Sequence, residues 1–286
     1  MNKEYTTTIS GGNYTFVVKR SIQSYGDRIL GRTYVLGGDY TNCITISYKY
    51  SNNNPIEASL PHLLYEPECS VGSTLERGGG SEVMIKTALR HAYSEIPSIS
   101  VFKFDDMSKI DCLPKNMSIS PERKPVKPLN LAYFSIAYHS KTWYELRFNA
   151  EMIDKERYAN YRMSLSFLTD SAAKLPFERF LEIAQPPVDH IEILKPLYES
   201  AETYRDFFNA IPKEKQCDML YHWLSTFMRH YISSVYSEMG WQINIDTMDK
   251  HLSSGGGYTR RNGRNRRQSR KKVHYRIYDY KESHNL

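Results

Sequence analysis

The sequence predicts an α+β protein with a basic tail, and three observations carry that prediction. Runs rich in β-branched and aromatic residues mark the first half of the chain as strands. Apolar residues at helical spacing dominate from about 155 to 250. Nine Arg and Lys, with no acid among them, crowd positions 260–276. With 286 residues, the chain is long enough for one large domain or two small ones. The expected division is a sheet domain over 1–152, a helical extension over 153–252 and a flexible tail over 253–286.

The strands come first. NYTFVVK, TNCITISYKY and SISVFKFDD each hold the β-forming residue types, bounded by Gly, Asn or Asp. RTYVLGGDYTNCITISYKY predicts a hairpin turning at 37–39, and LPHLLY is a further short strand. A helix is predicted over 82–93, where Met84, Ile85, Ala88, Leu89 and Ala92 share a face and Lys86, Arg90 and His91 lie off it. That gives a strand–loop–helix–strand unit. Residues 113–130 hold four prolines and read as a linker. In LNLAYFSIAYHSKTWYELRFNAEM a helix is expected over 141–148, preceded by a helix or strand.

In QCDMLYHWLSTFMRHYISSVYSEM, the residues Leu220, Leu224, Phe227, Met228, Tyr231 and Val235 form one apolar stripe, which reads as a core-facing face. Ala201, Tyr204, Phe208 and Ile211 repeat the style. Pro186, Pro187 and Pro212 punctuate these helices, and SSGGG at 253–257 is a hinge into the tail. His222 and His230 are expected on exposed helix faces, and His190 at a helix entry.

Composition excludes several classes. Hydrophobic residues make up 40% and charged residues 24%, as in an ordinary globular chain. No run of about 18 apolar residues exists, so no membrane span is expected. The opening MNKEYTTTISGGNY lacks the apolar centre of a signal peptide. Cys43, Cys69, Cys112 and Cys217 form no CxxC and have no histidine at ligand spacing, so reduced, buried thiols and no metal site are expected. Together these predict a cytosolic-type reducing compartment.

The stretch TLERGGGSEVMIKTAL poses the functional question. Backbone N–H groups at a glycine turn opening a helix favour a phosphate, and Arg77 adds positive charge. A mobile helix-entry loop explains the same glycines. The stretch has neither the Gly-Lys-Ser/Thr of a Walker loop nor GxGxxG. Residues 76–81, ERGGGS, with the helix EVMIKTALRHA, the strand SISVFKFDD and the later KTWYELRF, resemble the GNAT acetyltransferase superfamily across roughly 10–150. That family binds the pyrophosphate of acetyl-CoA at Gln/Arg-x-x-Gly-x-Gly/Ala in a mixed sheet with flanking helices. The resemblance implies acetyl-CoA as cofactor, held by Arg77, Gly78, Gly79, Gly80 and Ser81. It also implies Tyr144 as the acid that protonates the departing thiolate. Three departures stand out: Glu76 in place of Gln or Arg, the six extra residues SVGSTL, and Arg147 in place of a glycine.

The general base is open. His62 and Glu66 lie on or after the strand that would flank the cleft, and strand-surface and loop roles explain both equally. Glu68, Asp105 and Asp106 read as loop or strand-end acids. HSKTWYELRFNA is also similar to GNAT-like proteins of nucleocytoplasmic large DNA viruses, which would place the protein in host cytoplasm and virion.

Arg260, Arg261, Arg264, Arg266, Arg267, Arg270, Lys271, Lys272 and Arg276 make the tail a polycation suited to nucleic-acid phosphates. An arm onto virion components in a larger assembly, or a targeting signal, fits the same composition. Two functions are therefore consistent with the sequence. One is a divergent acetyl-CoA-dependent N-acetyltransferase. The other is a non-catalytic virion-associated structural or nucleic-acid-binding protein on the same fold.

Overall fold

The structure, a computed structural model, describes residues 3–25, 28–37, 42–52, 54–76, 79–110 and 128–249. Strands β1 (Lys3–Gly11), β2 (Tyr14–Tyr25), β3 (Arg28–Leu36), β4 (Asn42–Ser51) and β5 (Asn54–Leu63) run as an antiparallel meander. Helix α1 (Gly79–Glu95) then crosses to β6 (Val101–Phe104), which lies parallel to β5. A small pair, β7 (Lys109–Ile110) and β8 (Leu129–Asn130), precedes α2 (Leu131–His139), α3 (Trp143–Phe148) and β9 (Glu151–Met152).

Six helices follow: α4 (Lys155–Ser164), α5 (Phe177–Ala184), α6 (Val188–Ser200), α7 (Tyr204–Ala210), α8 (Gln216–Leu220) and α9 (Leu224–Ile232). The chain then returns to the sheet as β10 (Trp241–Asn244). Among the described residues the main sheet has eight strands in the order β1-β2-β3-β4-β5-β6-β10-β9. It is mixed, as expected, with β5–β6 its one parallel pair.

Two features of this topology were not visible in the sequence. β10 sits between β6 and β9, so the helices α4–α9 leave and rejoin the sheet between two neighbouring strands. The segment read as a helical extension to residue 252 thus includes a strand of the sheet. In addition, the long stripe is split. Tyr221, His222 and Trp223 separate α8 from α9, with Trp223 at φ −129° and ψ −21°, outside helical geometry, although Leu220, Leu224, Phe227 and Met228 are all buried as the stripe requires.

The sheet buries one face and leaves the other open. On β3 and β4, Thr33, Val35, Ile44, Ile46 and Tyr48 are buried, and α1 lies over this side with Met84, Ile85, Ala88 and Leu89. The alternation is the period-two pattern of a sheet covered on one side. β1 crosses α1 so closely that a Cβ on Gly11 would collide with the Thr87 hydroxyl, which is why the position lacks a side chain.

The helical excursion has its own aromatic interior, where Phe180 meets Trp223 edge-on at 5.2 Å and Tyr204 packs on Phe227 at 5.0 Å. Such rings dominate core energetics because each buries a large apolar area.

The cysteine expectation is corrected. Cys43, at the start of β4, is bonded to Cys69 in the 3-10 turn Pro67–Cys69, with Cα atoms 6.0 Å apart. No spacing cue announced the bond, because it is the pairing of β4 with β5 that brings the two together across 26 residues. Cys217 is disulfide-bonded as well, and Cys112 lies outside the described residues. Disulfides do not fit the reducing compartment that the sequence suggested. Among the described residues no helix is long and apolar enough to cross a membrane.

The Cys43–Cys69 bond ties β4 to the segment leading into α1. Replacing both residues with serine is expected to lower stability by ~3 kcal/mol, from loop entropy restored to the unfolded chain. Chemical denaturation of the double variant checks this, and a midpoint equal to wild type would show that the bond contributes nothing.

Candidate functional site

The open face of the sheet carries a row of polar residues in register. Arg32 pairs with Ser47, Ser47 with Ser59, Ser59 with Lys103 and Lys103 with Gln242, across β3, β4, β5, β6 and β10. A second row sets Tyr34 beside Thr45 and Thr45 beside His62. Apart from Gln242, these rows line a groove of about 1210 Å³, closed on the far side by Tyr144 of α3, by residues 152–154 and by Ser237, Met239 and Gly240. The parallel pairing of β5 with β6 ends at Leu60 and Phe104. Beyond that point Pro61, His62 and Leu63 from one strand and Asp105 and Met107 from the other flank the groove together with Tyr144.

Tyr144 is placed by local chemistry. Thr142 caps α3, accepting from Glu145 N at 3.1 Å, while Glu145 accepts from Thr142 N at 2.7 Å. This reciprocal capping box fixes the first turn and holds the Tyr144 ring 4.6 Å from Phe104 and 5.0 Å from Trp143. Tyr144 is 5% exposed. Its hydroxyl lies 3.2 Å from Ser108 Oγ. Arg147, the departure from the family's glycine, forms an ion pair with Glu82 at 3.3 Å and so links α3 to α1.

His62 is oriented as well. Its Nε2 lies 2.9 Å from the Asn42 carbonyl oxygen, which can only accept. Nε2 therefore donates in this contact, and Nδ1 is the ring nitrogen left for any other partner. Glu66 is not among the residues lining the groove. It precedes the turn Pro67–Cys69, and its carbonyl accepts from Cys69 N at 3.1 Å.

The glycine stretch is described in part. Arg77 and Gly78 lie outside the described residues. Gly79 and Gly80 open α1, and a Cβ at Gly79 would meet nothing within 4 Å. Gly80 is different: its N–H donates to the Glu76 carbonyl at 2.9 Å, and a Cβ there would strike the Leu75 side chain at 2.9 Å. Ser81 Oγ is buried without a hydrogen-bond partner. It lines a small cavity of about 10 Å³ together with Ser108 and Tyr144, a volume on the scale of one water. Ser81 and Tyr144 are thus brought together, while His62 and Tyr144 both line the larger groove.

Residues 260–276, with all nine basic tail positions, lie outside the described residues. Among the described residues no cluster of three metal-ligating side chains occurs. His222 and His230 are exposed and His190 lies in the first turn of α6, as expected.

Two acids play parts that the sequence did not reveal. Asp105 lines the groove and accepts from Gly240 N at 2.9 Å, pinning the turn that forms the far wall. Asp106 is buried, and its backbone N–H donates to the Glu238 carbonyl at 2.6 Å. The pair Asp-Asp at a strand end was visible, but alternation alone says only that one points in and one out. Comparison with protein-family models, with curated proteins and with solved structures returns no match for this chain.

Proposed function

We propose that the protein is a divergent acetyl-CoA-dependent N-acetyltransferase. The observation that carries this reading is the placement of Tyr144 and His62 on one groove, where the parallel pairing of β5 and β6 ends beside the start of α1. An acyl transfer of this kind needs an acid for the leaving thiolate and a base for the attacking amine. The Tyr144 hydroxyl and the lone pair of His62 Nδ1 suit these two roles. The polar rows of the open sheet face would contact the acceptor.

The residues present fit the cofactor in part. Gly79 leaves room for close approach of a phosphate to the backbone, and Gly79, Gly80 and Ser81 would hold it with Arg77 and Gly78. The bound thioester would supply the activated acetyl group.

A second reading has one observation in its favour. The Gly80 N–H is already engaged by the Glu76 carbonyl, which removes a donor from the cradle. On that reading the fold is a non-catalytic, virion-associated structural or nucleic-acid-binding protein that meets phosphates through its basic tail.

Calorimetric titration of the full chain with acetyl-CoA at ~0.15 M salt, where exposed charges are screened, separates the two. Saturable one-site binding is expected. Gly79→Val should weaken it at least ~10-fold, about 1.4 kcal/mol, without lowering the melting temperature. No binding at ~1 mM cofactor would remove the transferase reading. Unchanged affinity in the valine variant would move the phosphate site elsewhere.

A further inference from the structure

We propose that the groove receives an extended peptide, with its N-terminal ammonium at Asp105 and Asp154 and an acidic side chain further along at Arg32. That this peptide is the acetyl acceptor rests on the transferase reading; its docking does not.

The groove carries opposite charge at its two ends. Arg32 stands at the β3 end, exposed on the open face of the sheet. Its Nη1 lies 3.5 Å from the Tyr34 hydroxyl, and among the described residues no carboxylate pairs with it. Lys103, in the same row, already has a counter-ion: its ammonium donates to Glu57 Oε2 at 2.5 Å. At the opposite end Asp105 and Asp154 both line the groove. Each accepts a backbone N–H through Oδ1, Asp105 from Gly240 and Asp154 from Arg157, both at 2.9 Å. The Arg157 guanidinium donates to the Val235 and Tyr236 carbonyls at 2.9 and 3.2 Å. Two carboxylates against one guanidinium leave this end acidic. Tyr144 belongs to the same end, its ring 4.6 Å from that of Phe104, the neighbour of Asp105.

Apolar surface lies beside the acids. Ile153 is 41% exposed and Met239 67% exposed, and both line the groove. Ile153 N donates to the Gly240 carbonyl at 2.8 Å, which joins the two segments into one rim. This rim suits the first side chain of a peptide whose ammonium meets Asp105.

The dimensions suit a chain rather than a small amine. A groove of about 1210 Å³ exceeds the ~300–1,000 Å³ of ordinary small-molecule sites. Arg32 and Asp105 are three strands apart and two residues out of line, by the pairings Arg32–Ser47, Ser47–Ser59 and Ser59–Lys103. At ~4.8 Å per strand and ~3.3 Å per residue, their Cα atoms are about 16 Å apart. An arginine side chain can cover part of that distance, which leaves about three extended residues to bridge the rest. A nucleic-acid strand fits less well, since its phosphates would meet Asp105 and Asp154. Acetyl transfer to the docked amine would form an N–C bond as the thioester C–S bond breaks, with one ammonium proton ending on the thiol and one in solvent.

The test is fluorescence polarisation of the full chain with the peptide Leu-Ser-Glu-Glu-Ser-Gly, carrying a C-terminal fluorophore, at ~0.15 M salt. The comparisons are the same peptide with lysine for both glutamates, and the acidic peptide with its N-terminus blocked. Wild type is expected to bind the free acidic peptide at least ~10-fold more tightly than either. Arg32→Glu should reverse the preference between acidic and lysine peptides, and Arg32→Gln should abolish it. Asp105→Asn, which keeps an acceptor for Gly240 N, should lose most of the discrimination between free and blocked peptides. The basic tail is present in every variant, so an acidic preference that survives Arg32→Glu belongs to the tail and overturns the proposal. Equal binding of free and blocked peptides by wild type overturns it too, as does no saturable binding at ~1 mM peptide. Acetylation of the peptide in the presence of acetyl-CoA is followed by mass in parallel. A peptide that docks with the Arg32-dependent preference but gains no acetyl group sinks the transferase reading and upholds the docking site.

Discussion

Glu145→Ala is expected to lower unfolding stability by about 3–5 kcal/mol, the range for breaking a buried charged network. Glu145 is 2% exposed and its two oxygens serve four donors. Thr142 N and Tyr161 Oη reach Oε2 at 2.7 and 3.0 Å, and Tyr158 Oη and Arg162 Nη1 reach Oε1 at 3.0 and 3.3 Å. Alanine leaves the buried N-cap amide and the Tyr161 phenol without their acceptor, so their desolvation cost appears, while Tyr158 is half-buried and Arg162, 32% exposed, keeps the Ser140 carbonyl. Three of the donors belong to α4, so this one carboxylate joins α3 to the first helix of the excursion. Glu145→Gln keeps one acceptor and turns an amide donor toward other donors, so about 1–3 kcal/mol is expected. Urea unfolding of both variants measures this. A loss below about 1 kcal/mol for alanine would mean that the network is replaced by water at no cost.

Stability should fall as the pH rises from about 4 to 7, because of Asp106. In the unfolded chain an aspartate loses its proton near 3.9. In the folded chain burial holds the proton until about 7. Between those values the folded state binds one more proton than the unfolded state. Stability from this group is complete below about 4 and is lost as the pH climbs, at up to about 1.4 kcal/mol per pH unit. Asp106→Asn has no proton to lose. It should therefore flatten this part of the profile and be more stable than wild type at pH 8, with the reverse ordering permitted only at acid pH. Denaturation midpoints at a series of pH values decide it. Parallel profiles for the two proteins would show that Asp106 does not titrate in this range.

Much of the fold was legible in local pattern. The β-branched run of β4, the helical spacing of Met84, Ile85, Ala88 and Leu89, and the helix expected over 141–148 each need only near neighbours, so composition and spacing announce them. Strand β1, rich in threonine, carried a weaker signal and is held by its register with β2. WQIN carried none. Four residues cannot form a strand alone, and β10 exists because β6 and β9 pair with it on both sides. Trp223 broke a periodic stripe because its ring is buried against Phe180, Phe207 and Phe208, and tertiary packing overrode helical propensity there.

The candidate site divides in the same way. Tyr144, His62 and the glycines stood out as residue types in a pattern, but their distances from one another depend on a crossover of many residues. Glu66 looked equivalent to His62 in the sequence, yet the chain has already left the groove where Glu66 enters the Pro67–Cys69 turn.

The sequence by itself determined most of the strands and helices, among them β4 and α1, where the basic charge lies and which residues carry reactive groups, because these follow from side-chain chemistry and short-range periodicity. Only the tertiary structure decided the rest. It set the place of β10 in the sheet, the Cys43–Cys69 bond, the groove shared by His62 and Tyr144, and the burial of Asp106 beside Ser108. Each depends on residues far apart in the chain meeting in space. The free energy that brings them together comes from burying the whole core, and no local stretch of sequence encodes it.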